Sequence, residues 1–107
     1  MLKNEYGNTL RVNAGFNLTS NINTLYLDSP LTSTGDLVIT PADGLLVGSI
    51  NIVTEVGTFL AGEYVEYVLL QGDIPYSGEW NARLVTQDTG ADTCKITELP
   101  LSFVVGS

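Results

Sequence analysis

A chain of 107 residues with formal net charge −8, four cationic residues and no histidine is one domain's length of protein. So few cations cannot neutralise a run of phosphates or hold an anionic lipid surface, so neither nucleic acid nor membrane is an expected partner. Its apolar content of 44% is too high for an intrinsically disordered chain.

The β-branched and aromatic residues outweigh strong helix formers such as Ala, Lys, Gln and Met, which favours an all-β domain. Turn signals punctuate the chain at Ser29-Pro30, Thr34-Gly35, Pro41-Ala42-Asp43-Gly44, Gly72-Asp73, Ser77-Gly78 and Thr89-Gly90-Ala91-Asp92. Between them the expected strands run from Thr9 to Asn13, with Phe16 and Leu18 continuing the first past a break at Gly15. Next come Thr24 to Asp28 and Leu37 to Thr40, the latter entered at Gly35-Asp36 and ended by Pro41. A long fourth strand covers Val47 to Thr54, with Ile50 and Ile52 on one face, and Val56 to Phe59 extends it past a kink at Gly57. The fifth, Tyr64 to Leu70, sets Val65, Tyr67 and Leu69 against Tyr64, Glu66 and Val68. The sixth, Glu79 to Thr86, points Trp80, Ala82 and Leu84 one way. A seventh from Thr93 to Glu98 and an eighth from Leu101 to Val105 finish the chain. The expected fold is an immunoglobulin-like two-sheet β-sandwich of seven or eight antiparallel strands over residues 1–107. Trp80, Leu84, Tyr67 and Phe103 are expected to be buried together in its core. A small closed barrel has the same periodicity.

Catalytic equipment is thin. No histidine supplies a general base near neutral pH, and the twelve carboxylates show no local pairing across a cleft, so no enzyme and no catalytic residue is expected. Cys94 cannot form an internal disulfide and reads as a small apolar filler in a strand. Asp88 and Asp92 flank Gly90 in a turn but lack the companion ligands of a calcium loop, so no metal and no cofactor is expected. The N-terminus has no apolar run behind a basic one, so no signal peptide is expected. Tyr64, Tyr67 and Tyr76 lie near Trp80 in sequence; such aromatics fill a core or an interface, or they stack on sugar rings. The stretch with Glu63, Glu66, Asp73 and Glu79 contains no Lys or Arg and is the candidate partner-steering surface.

Gly57-Thr58-Phe59, Gly62-Glu63-Tyr64-Val65-Glu66-Tyr67, Ser77-Gly78-Glu79-Trp80-Asn81-Ala82-Arg83-Leu84 and Phe103-Val104-Val105 follow one another in the second half. With Ser29-Pro30 and Gly35 before them, they resemble the small immunoglobulin-like domains of tailed-bacteriophage virion proteins. They are similar to the N-terminal domain of the phage baseplate upper protein family. The resemblance implies a non-enzymatic structural role in a tail, baseplate or fibre adaptor, with no catalytic residues to carry over. It also implies synthesis in the host cytoplasm, residence in the virion in multiple copies, and other virion structural proteins as partners. In that family the domain precedes a long fibre-forming region. This sequence stops at Ser107, which brings capsid decoration into the same expectation. A carbohydrate-binding module using surface tyrosines is the alternative.

Overall fold

The computed structural model describes residues 1–31, 37–90 and 94–107. These hold nine strands: β1 (Thr9–Asn13), β2 (Ile22–Asp28), β3 (Leu37–Ile39), β4 (Leu46–Val47), β5 (Ile52–Thr54), β6 (Gly57–Phe59), β7 (Tyr64–Val68), β8 (Gly78–Thr89) and β9 (Cys94–Val105). Every strand pairing is antiparallel, and among the described residues the only helical segment is a 3-10 turn at Pro41–Asp43. The strands form a three-stranded sheet ordered β1-β7-β4, a four-stranded sheet ordered β3-β2-β8-β9, and a separate β5-β6 ribbon.

One core joins the two larger sheets. From the four-stranded sheet come Leu25 and Leu27 of β2, Ile39 of β3, and Trp80, Ala82 and Leu84 of β8. Register places Leu25 opposite both Leu84 and Ile39. The three-stranded sheet contributes Val12, Val65 and Tyr67, with Val12 opposite Val65. The period-2 pattern of β8 is therefore a true one-sided burial pattern. Phe103 stands opposite Trp80 on β9, ring centroids 6.1 Å apart and nearly parallel, and stays partly exposed at the margin of the core. The indole N–H of Trp80 donates to the Tyr76 carbonyl at 3.0 Å, so burying the ring leaves its polar atom satisfied.

Several expected elements differ. Phe16 and Leu18 do not extend the first strand: Gly15 takes a positive φ of 78°, and the chain turns into a loop in which Leu18 alone is buried. The long fourth strand is broken. β4 ends at Val47 and β5 begins at Ile52 in a different sheet, while Val56 to Phe59 folds back on β5 as a hairpin instead of prolonging it. Ile50, expected to share a face with Ile52, is left exposed between them. The cause sits at Gly48. The Tyr64 ring lies so close to its backbone that a Cβ there would come within 1.9 Å of Cζ. The Tyr64 hydroxyl donates to the Ile50 carbonyl at 2.9 Å, and its ring meets Phe59 edge-on at 5.5 Å. Tyr64 points away from the core on β7 yet is buried, because this crossing and the ribbon cover it.

The expected seventh and eighth strands are one strand, β9. Pro100 sits within it because β9 is an edge, where a missing N–H breaks no ladder bond. The two larger sheets thus contain seven strands and the ribbon two. The turn at Gly35-Asp36 and the strand start at Thr93 lie outside the described residues.

Trp80→Ala is expected to cost about 3–5 kcal/mol in urea unfolding. Gly48→Ala is expected to cost roughly 1–3 kcal/mol, since the Tyr64 ring must shift. Amide exchange in Gly48→Ala should rise in the ribbon and its flanks far more than in β8. A neutral Gly48→Ala would show that Tyr64 does not fix the crossing.

Candidate functional site

The four acidic residues of the expected steering surface are not brought together. Glu66 lies on the outer face of the three-stranded sheet, directly opposite Arg11, whose Nε is 3.3 Å from Glu66 Oε2. Glu79 is exposed on β8, on the outer face of the other sheet. Asp73 is occupied within the fold. Its Oδ2 accepts from the Tyr67 hydroxyl at 2.6 Å and from the Leu70 N–H at 2.8 Å, closing the turn that leaves β7. Glu63 is half-buried, and its carbonyl receives the Ala14 and Gly15 N–H groups. Two of the four carboxylates are thus tied to partners within the chain, and the remaining two are far apart in the topology.

The tyrosines are sorted by the same logic. Tyr64 and Tyr67 are buried and bonded through their hydroxyls, so neither is a surface platform; Tyr76 is exposed. Burial pushes the Tyr67 phenol above its ordinary range, and the hydrogen bond to Asp73 and that carboxylate's charge add to the effect. Cys94 is not a core filler. It is exposed at the start of β9, where its sulfur accepts from Gln87 Nε2 at 3.0 Å. Asp92 lies outside the described residues, and among the described residues no cluster of three or more His, Cys, Asp or Glu side chains forms.

A different surface emerges on the four-stranded sheet. β9 pairs with β8 along its whole length, from Thr89 opposite Cys94 to Gly78 opposite Val105. On its other side, among the described residues, only one rung is taken: Gly106 donates to the Met1 carbonyl and accepts from the Lys3 N–H, both at 2.8 Å, in a parallel bridge. In an antiparallel ladder alternate residues turn their N–H and C=O to opposite sides. Gly106 and Pro100 share a parity, so Ile96, Glu98, Ser102 and Val104 aim their main-chain groups at the open edge. The same residues are exposed on the outer face, Ile96 by 62% and Val104 by 70%. Beside them the Arg83 guanidinium sits 4.4 Å over the Tyr26 ring and 3.2 Å from Glu98. Register carries this row on to Val38, which is also exposed. Sequence reading missed this surface because Pro100 made one strand look like two.

Comparison with protein-family models, with curated proteins and with solved structures returns no match.

The Tyr67–Asp73 contact fixes a pH dependence. The folded-state pKa of Tyr67 lies above the unfolded value near 10, so the unfolded chain loses this proton first. Its contribution to stability is complete below about pH 10 and declines as pH rises toward the folded-state pKa. Urea titrations at neutral pH and at about pH 11 are expected to show a steeper loss for the wild type than for Tyr67→Phe. Equal losses would mean that Tyr67 titrates alike in both states.

Proposed function

We propose that this chain is a non-enzymatic structural protein of a bacteriophage particle, an adaptor of the tail, baseplate or fibre or a capsid decoration, that joins neighbouring virion proteins through the β9 edge and the outer face beside it. The observation that carries the reading is the open edge of β9. A row of unpaired main-chain donors and acceptors is a template on which an extended partner segment adds as a further strand. Main-chain bonds give such a contact its strength. Ile96 and Val104, exposed on the adjoining face, give it selectivity. Pro100 removes one donor in the middle of the row, which divides the template in two and disfavours a long uninterrupted pairing. The phage assignment itself rests on the resemblance carried by Gly78-Glu79-Trp80 and Phe103-Val104-Val105, and with it come several copies per particle and location in the virion.

The immunoglobulin-like description belongs to the same proposal. In its favour are two antiparallel sheets about a core that includes Trp80. Against a strict form of it, β2 and β3 are neighbours in one sheet, whereas the immunoglobulin order puts the second and third strands in different sheets. The carbohydrate alternative keeps only Tyr76 of its three proposed tyrosine platforms.

The test uses particles made by a host that expresses this gene with its neighbours. Mass spectrometry of purified particles is expected to find the protein in a fixed ratio to the other structural proteins. Ser102→Pro removes a second outward donor on the parity of Pro100, so the variant should fold and yet be lost from the particles. Absence of the wild-type protein from particles, or wild-type incorporation of Ser102→Pro, contradicts the reading.

A further inference from the structure

The β2–β8 ladder ends where Ile22 meets Gln87, and β8 and β9 run on past it. Under this overhang lies a concavity of about 310 Å³. The loop between β1 and β2 supplies one wall, with Phe16, Asn17 and Asn21. Thr86 and Asp88 of β8, with Lys95 and Thr97 of β9, supply the other.

Both walls are held in place. Leu18 is buried under the loop, its N–H donates to the Gly62 carbonyl at 2.7 Å, and the Asn21 N–H returns to the Leu18 carbonyl. Asn17 Oδ1 accepts from the Thr19 N–H at 3.0 Å, and among the described residues the amide nitrogen of Asn17 has no partner. Gly62 is required for this approach: its φ is +82°, and a Cβ there would press within 3.2 Å of Thr19 Oγ1. At the floor the Asn21 amide donates to the buried Thr86 hydroxyl at 3.0 Å, which keeps Asn21 Oδ1 free to accept. Asp88 and Lys95 stand directly opposite one another across β8 and β9, and among the described residues neither forms an ion pair or a side-chain hydrogen bond.

The site therefore offers Lys95, Thr97 and Asn17 as donors, Asp88 and Asn21 as acceptors, and one partly exposed aromatic ring, Phe16. An anion would meet one cation and one carboxylate, with no net attraction. A wholly apolar ligand would strip water from both charges without replacing its bonds. A neutral sugar ring fits both demands, because each hydroxyl donates and accepts while the C–H face of the ring lies on an aromatic side chain. We propose that this concavity binds a neutral pyranose, as a terminal sugar of a glycan. The site shares β9 with the open edge but uses the Lys95 and Thr97 side chains, which alternate with the outward Ile96 and Glu98, and it does not depend on the virion assignment.

Amide NMR titration of the intact chain with the methyl pyranosides of glucose, galactose, mannose and rhamnose, and with N-acetylglucosamine, tests this directly. At least one sugar is expected to give saturable shifts at Phe16, Asn17, Asn21, Asp88 and Lys95. Phe16→Ala and Asp88→Asn should each weaken it about ten-fold at an unchanged melting temperature. Asp88→Asn serves alone if Phe16→Ala does not fold. No saturable shift with any of the five sugars overturns the proposal. So do shifts centred on Tyr76 instead, an undiminished affinity in Asp88→Asn, or tighter binding of inorganic phosphate at the same residues.

Discussion

β8 is paired on both flanks, with β2 on one side and β9 on the other, and its inward face carries Trp80, Ala82 and Leu84 into the core. Its position fixes the register of the four-stranded sheet, and its Trp80 and Leu84 share one core cluster with Val12, Val65 and Tyr67 of the opposite sheet. With one cysteine and two ion pairs among the described residues, that packing has to hold the chain against its conformational entropy. Loss of the Trp80 ring would open a cavity where the two sheets meet.

From the same strand follow the two surfaces of functional interest. β8 is twelve residues long, longer than β2, so it leaves β9 as an extended edge and leaves an overhang at one end. The edge offers main-chain groups to protein, and the overhang offers a mixed polar concavity with one aromatic wall. Neither depends on charge pairs of the kind a strongly basic or acidic patch would supply. The net charge of −8 is spread over both sheets and the connecting turns, where it disfavours self-association at low salt.

Much of the fold was legible in local alternation. β1 carries the expected bounds, and β8 was recognisable because Trp80, Ala82 and Leu84 alternate with Glu79, Asn81 and Arg83. The failures occurred where a distant contact decides. Val47 to Thr54 is rich in β-formers, but Tyr64, packed on Gly48, diverts it between two sheets. Pro100 reads as a strand terminator unless the strand is known to be an edge. The candidate surfaces were the least legible part. Glu63, Glu66, Asp73 and Glu79 are close in sequence but divided between faces by a turn and a sheet change. The residues of the overhang concavity come from segments far apart in the chain, from Phe16 to Lys95. No local pattern announces such a convergence.

The open edge of β9 is the central claim, and residue-resolved amide exchange in the free protein measures it most directly. Alternation is predicted: fast exchange at Ile96, Glu98, Ser102 and Val104, and slow exchange at Thr97, Leu99, Leu101 and Phe103, whose N–H groups face β8. Uniform protection along β9 would mean that a further strand already covers the edge. Uniform fast exchange would mean that β9 is not held by β8 at all. Either result contradicts the account.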